Sequence, residues 1–497
     1  MGLLYEIHNN YAAVKGFDES KSEVLEIPDS FEGKPVEEIC ENAFLSEGTI
    51  EKVVFGKNIK KTGSSSFARC GNLKEIIFNE GIEEIGFSSF ENCGKIENVY
   101  IPKTVRRIED KAFSWCSKIN ELKFGGGMLE IGFNAFSFCT SLSEINFAEG
   151  IKYIGKAAFS VCGGLKKLSF PKSLEIIDSQ AFEACSALEY VEFSEGLKKI
   201  GSWTFRECKS LKALDIPKSV EEIGEGAFLS CILVRSIKVP EGVKEIKDWT
   251  FGKCRGIERM ELPESIEKIG SFAFSRCRKI KYFHMPKSVR KVCRGAFSVC
   301  AEIENIEFSR NLDQLEERTF EICGGLKKVT LPYTMKKISK EIFYECNALC
   351  GIELITDDKR VEKLFVPYEP KGIKFIREYK GKSIDFEKYD SMFKGLKKYE
   401  CKIETAFFRL KNNVDLSEES REKYVSYLKR YSKKIIIDAI KKGDIEKIGF
   451  MGEQKLIAKT NIEEYIKASS AEGGLCTGYF IDYRNRNFTQ IRKRFVL

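Results

Sequence analysis

Cysteine carries the most chemical potential in this 497-residue chain: there are 18, beside two histidines, His8 and His284. From Cys70 through Cys93, Cys116 and Cys139 to Cys346, thirteen of them recur every 23 residues. Thiols can ligate metal, form disulfides or attack an electrophile. The spacing fits none of these. No Cys-x-x-Cys pair occurs and histidine is nearly absent, which argues against a metal centre. An odd ladder of thiols pointing the same way is badly oriented for bridging. An activated thiol is most often paired with histidine, which occurs only at His8 and His284. The remaining reading is a ladder of small buried thiols packed in a core. So many free thiols fit a reducing cytoplasm.

Other chemistry-bearing groups also reduce to structure. Gly381-Lys382-Ser383 has the ending of a phosphate loop, but the first glycine would fall at residue 376, which is isoleucine. Gly125-Gly126-Gly127 stands where other units turn, and reads as a loosened corner. His8 falls in a terminal cap and His284 on a solvent-facing strand position. No catalytic, cofactor-binding or metal-binding residues are assigned, and an enzymatic function is not expected.

The elements that must position these thiols repeat with them. A phenylalanine precedes each ladder cysteine by three residues, from Phe67 to Phe343, and Phe44 extends the series backwards. Between Cys93 and Cys116 the apolar positions are Ile96, Val99, Ile101, Val105, Ile108, Ala112 and Phe113. The next unit repeats them as Ile119, Leu122, Phe124, Met128, Ile131, Ala135 and Phe136. Val99-Tyr100-Ile101 alternates as a half-buried strand does, and Pro102 ends it. A second extended segment carries Ile108. Gly86, Gly132, Gly155, Gly201, Gly224 and Gly270 follow its equivalents, and a tight bend with positive φ is expected there. The period predicts a repeat solenoid of parallel strands, with about 14 units of 23 residues and an arc about 65 Å long at about 4.8 Å per turn.

Leu211 to Cys231, LKALDIPKSVEEIGEGAFLSC, resembles the BspA-like, or Treponema-type, leucine-rich repeat. The resemblance covers residues 25 to 354. It implies a curved leucine-rich-repeat arc that binds proteins. Many relatives are secreted bacterial surface proteins, so a cell-surface adhesin is one alternative. The start, Met1-Gly2-Leu3-Leu4-Tyr5-Glu6, has no basic region and no apolar core of signal-peptide length. No apolar run approaches the ~20 residues of a membrane span. A cytoplasmic location is therefore expected, with the cell surface as the alternative.

The period ends after Leu354. Residues 355–497 hold 32 Lys and Arg against 22 Asp and Glu, whereas residues 1–354 hold 50 against 52. The reading divides the chain into a hairpin cap and first unit (1–38), the repeats (39–354), a capping or linker region (355–415) and a smaller, basic, mostly α-helical module (416–497). In the third part, Val361 to Val366 reads as a strand or cap element, Pro367 and Pro370 as breaks, and helices are expected from about 384. Ser417 reads as an N-cap, and Gly443 and Gly473 as turns between helices. Residues around Lys441-Lys442-Gly443-Asp444 resemble ankyrin-type hairpins, which implies a second protein-binding surface.

The expected function is a non-catalytic protein-interaction scaffold whose partner sits on the concave strand face. Tyrosine and arginine are favoured at the energetic centres of interfaces. The candidate contacts are Tyr100, Tyr190, Arg259, Tyr282 and His284. A third reading is a nucleic-acid-associated factor that uses the basic tail Arg484, Arg486, Arg492, Lys493 and Arg494, interleaved with Tyr483, Phe488 and Phe495. The mixed signs on the strand face argue against a nucleic-acid groove there.

Overall fold

The computed structural model describes residues 2–18, 21–281, 283–335, 341–379 and 383–488. They form two compact units, Met1–Leu349 and Cys350–Leu497.

The first unit is a parallel β-solenoid of about 15 turns of about 23 residues. Each turn places two strand segments. In Asn98–Ile101, Val99 and Ile101 are buried while Asn98 and Tyr100 are exposed. This strand pairs in parallel with Glu121–Phe124, with Val99 opposite Leu122 and Tyr100 opposite Lys123. The shorter second strand, Arg107–Ile108, pairs with Glu84–Ile85 and Glu130–Ile131. Second strands join into one sheet from the N-terminus to Glu222–Ile223, and pairing resumes from Glu245–Ile246. At the start, Leu3–Ile7 pairs antiparallel with Ala12–Phe17, which then pairs in parallel with Lys34–Ile39. The hairpin thus covers a sheet edge that would otherwise offer unpaired N–H and C=O groups.

The periodic phenylalanines make the core. From Phe44 to Phe343 each ring stacks on the next, with centroids 5.1–5.7 Å apart. A second, shorter stack of Phe124, Phe147, Phe170 and Phe193 stands nearly perpendicular to the first: Phe147 meets Phe159 at 88° and Phe193 meets Phe205 at 86°. Edge-to-face contacts of this kind add to simple burial. All 18 cysteines are free thiols, and the thirteen of the ladder are buried.

The glycines after the second strand do not have the positive φ expected of them. Gly86, Gly132, Gly155, Gly201, Gly224 and Gly270 are not among the residues in that region. They are required for close approach instead. A Cβ on Gly86 would lie 2.2 Å from the Thr62 carbonyl oxygen of the preceding turn, and one on Gly224 would lie 2.3 Å from the Ser202 nitrogen. Left-handed backbone sits instead two positions either side of the core phenylalanine, mostly on residues other than glycine. Lys111 and Trp115 flank Phe113 at φ 58° and 64°, and Val161 follows Phe159 at 62°.

The second unit begins with an antiparallel hairpin, Gly351–Ile355 with Lys363–Pro367. Helices follow sooner than residue 384: α1 spans Pro370–Glu378, with the proline in its first turn. Proline is tolerated there because the missing N–H has no helical partner and its φ is already helical. Pro370 therefore opens a helix rather than breaking the chain. Next come α2 (Phe386–Ser391), α3 (Tyr399–Lys411), α4 (Glu418–Arg430), α5 (Ser432–Lys442), α6 (Ile445–Glu453), α7 (Ile462–Ala471) and α8 (Thr477–Asn487). Ser417 caps α4 by accepting from the Ser420 N–H. Gly443, at φ 65°, ends α5, and Asp444 caps α6. The pairs α5/α6 and α7/α8 pack as hairpins, with α5 against α7.

A buried ion pair fixes the middle of this unit. Arg409 of α3 has no exposed side-chain surface, and its Nε and Nη2 donate to the two carboxylate oxygens of Asp390 at 2.6 and 3.0 Å. Its remaining donors reach the carbonyls of Asn412 and Val414, and Tyr424 Oη donates to Asp390 at 2.7 Å. The guanidinium lies 4.3 Å from the Phe386 ring centroid.

Candidate protein-interaction face

Strand alternation decides which side chains face solvent. With Val99, Leu122, Ile145, Leu168, Val191, Ile237, Met260 and Ile306 buried, the residues on either side point outward. Tyr100 and Tyr190 are each about half exposed, and His284 has 76% of its side chain in solvent. Arg259 is exposed as well.

The structure brings two of the expected contacts together. Arg259 and His284 both line a groove of about 730 Å³ on the first-strand face, with Lys281, Asn305, Glu307 and Lys328. Met260, Phe283 and Ile306 form its apolar floor. Its charges stand in columns set by the parallel register. Arg259, Asn305 and Lys328 precede the central apolar residue of their turns, and Glu261, His284 and Glu307 follow it. A column with basic character therefore runs beside an acidic one that carries the histidine.

Three exposed contacts at the groove are long, and the neighbouring Lys327–Glu304 pair is short at 3.0 Å. His284 Nε2 lies 3.5 Å from Glu264, Lys281 lies 3.6 Å from Glu302, and Lys279 lies 3.7 Å from Glu258. Such exposed pairs contribute ~0–1 kcal/mol each.

Tyr100 and Tyr190 are not part of this groove. They stand seven and three turns before Arg259, about 34 and 14 Å away at about 4.8 Å per turn. Tyr100 leans over the glycine corner, where a Cβ on Gly125 would lie 2.8 Å from its hydroxyl. The Lys212 ammonium sits 5.4 Å from the Tyr190 ring centroid. Tyr282, Arg492, Lys493 and Arg494 lie outside the described residues. In α8, Arg484 pairs with Glu463 at 3.0 Å and Arg486 with Asp482 at 2.8 Å.

Lys281, Phe283 and Lys328 were not anticipated, although the sequence carries a signal for the groove. Phe283 stands in the column of Met260 and Ile306, while Met285 takes the place held by Phe124 and Phe147 in earlier turns. The aromatic has moved two residues along the strand. Its ring meets Phe297 edge-on at 4.8 Å and Phe274 at 5.9 Å.

Residues 37–162, 106–235 and 222–350 match the family model of the BspA type leucine-rich repeat region. The chain belongs to the BspA-type leucine-rich repeat family. Proteins of this architecture are generally protein-interaction or surface proteins, and typically not enzymes. The crystal structure of a leucine-rich repeat protein from Bacteroides ovatus is 24% identical, covers 72% of this BspA-type chain and 99% of its own, and superposes with a TM-score of 0.58. A leucine-rich cell surface protein from Faecalibacterium prausnitzii is 21% identical over 71% of this chain and 93% of its own, with a TM-score of 0.44. The pneumococcal vaccine antigen PcpA is 19% identical over 71% and 92%, with a TM-score of 0.46. No curated protein matches the chain. Among the described residues no helix is long and apolar enough to cross a membrane.

Proposed function

We propose that this BspA-type protein is a non-catalytic interaction scaffold that binds a protein partner on its first-strand face, centred on the groove at Arg259 and His284. The observation that carries the reading is the groove itself: an apolar floor of Met260, Phe283 and Ile306 under exposed groups of both signs. A buried apolar centre inside a polar rim is the anatomy of protein interfaces. The opposed charge columns favour a partner segment that carries both signs, and set its direction along the groove. Eighteen free thiols support work in a reducing compartment. The helical hairpins of the second unit offer a further protein contact.

The test is capture from native lysate with the full chain and with an Arg259→Glu/His284→Glu variant, both treated with nuclease. The reading expects a protein held by the first bait and lost from the second. Identical capture by both would remove the partner from this face. Capture abolished by nuclease would favour nucleic-acid binding through the basic C-terminal segment.

A further inference from the structure

Two cysteines of the second unit stand outside the 23-residue ladder and are placed differently from it. Cys350 directly precedes the strand Gly351–Ile355 and is partly exposed, whereas Cys401 lies in the first turn of α3 and is fully buried. They are 51 residues apart in the chain, yet Cys401 Sγ lies 2.9 Å from the Cys350 carbonyl oxygen. That oxygen also accepts the Tyr368 N–H at 2.9 Å, so the backbone of Cys350 is held at this spot. This contact sets the Cys401 sulfur against the residue that carries the Cys350 thiol.

We propose that Cys350 is a site of oxidation by peroxides and that Cys401 resolves the oxidised sulfur as a reversible intramolecular disulfide. In the first step the Cys350 thiolate attacks the peroxide O–O bond. Sulfur gains the hydroxyl oxygen and is oxidised by two electrons, and the other oxygen leaves as hydroxide or alkoxide, taking a proton to become water or alcohol. In the second step the Cys401 sulfur attacks the Cys350 sulfenic sulfur. The S–S bond forms, the S–O bond breaks, and the departing hydroxide takes the Cys401 proton to leave as water. A thiol reductant reverses the change.

The distribution of protons suits these roles. Hydrogen bonding from Cys401 holds the Cys350 thiol below the usual thiol range, and the same contact together with burial pushes Cys401 up. Sensor cysteines combine thiolate character, exposure and a nearby resolving thiol. Cys40 provides a contrast within the same protein. It is also partly exposed, but burial and the carboxylates of Glu6 and Glu38 push its thiol up.

The experiment treats full-length protein with hydrogen peroxide, traps sulfenic acid with dimedone, alkylates the remaining thiols and maps the products by mass spectrometry. The expected product is a Cys350–Cys401 linked peptide that dithiothreitol removes. In Cys401→Ser and Cys401→Ala the link is lost, and in Cys401→Ser, whose hydroxyl keeps a donor beside Cys350, dimedone labels Cys350 in preference to Cys40. Protection of buried Cys476 from alkylation reports that the variants keep the fold of this unit. Absence of the linked peptide, or equal labelling of Cys350 and Cys40, would overturn the proposal.

Discussion

The thiol of Cys116 donates to the carbonyl oxygen of Phe90, one turn earlier, at 3.1 Å. The same oxygen accepts the Cys93 N–H at 3.3 Å. The ladder cysteine thus fills the second lone pair of a carbonyl that would otherwise lie buried and half satisfied. The contact recurs up the solenoid, as Cys93 to Phe67 at 3.0 Å and Cys254 to Phe228 at 3.1 Å. A small, weakly polar side chain at this position both packs and ties one turn to the next. Cys116→Ala removes the donor and leaves a small void, and is expected to cost about 1–2 kcal/mol in denaturant unfolding.

Phe182 sits between Phe159 and Phe205, at 5.3 and 5.6 Å, with no exposed surface. Phe182→Ala should cost about 3–5 kcal/mol by equilibrium denaturation. A loss under about 1 kcal/mol would contradict the stacked core.

The thiol ladder should make the solenoid sensitive to alkali. Burial raises the thiols of Cys116, Cys185, Cys254 and Cys300 to about 12. The unfolded chain releases these protons from about pH 9, whereas the folded chain keeps them. Their contribution is therefore complete below about pH 9 and lost as pH rises towards 12, at up to about 1.4 kcal/mol per thiol per pH unit. Unfolding midpoints measured by circular dichroism from pH 8 to 11 should fall steeply. The fall should be shallower when these four cysteines are replaced by alanine, and a pH-independent midpoint would contradict the buried ladder.

The repeat was legible because every turn buries the same columns. Cys, Phe, the strand aliphatics and Pro102 recur where the coil needs them, so period alone yields the strands, the stacked core and the exposure of Tyr100, Tyr190 and Arg259. The glycine at position 86 was read for the wrong property. Sequence shows that a side chain is excluded there, but whether φ or a neighbouring backbone excludes it depends on the preceding turn. The Arg409–Asp390 pair was invisible for a similar reason, since helix packing alone brings residues of α2, α3 and α4 together. The groove at Arg259 and His284 was half legible: its side chains face outward by alternation, but that Phe283 joins Met260 and Ile306 in its floor is seen only once the turns are stacked.

That correction gives a contrast that can be measured. Gly86→Ala should destabilise by about 2 kcal/mol or more, although φ at Gly86 is not positive, because its methyl would meet the Thr62 carbonyl. Val161→Gly, at φ 62°, should change stability by less than about 1 kcal/mol, since relief of left-handed strain offsets lost burial. The reverse order would restore the φ explanation.

Arg409→Ala leaves the buried Asp390 carboxylate with the Tyr424 hydroxyl but without its counter-charge, and should cost about 3–5 kcal/mol. Replacing the pair together, Arg409→Met with Asp390→Leu, should cost less than the single change. The measurement is thermal unfolding followed by loss of helical signal, and equal losses would mean that the pair is not the unit's organising contact.

Hydrogen–deuterium exchange on the full chain, alone and saturated with the captured partner, tests the binding face most directly. The account predicts slowed exchange at Glu258–Glu261, at Phe283–His284 and at Asn305–Glu307, with little change on the second-strand sheet. Protection confined to residues 418–488, with these strands unchanged, would contradict it.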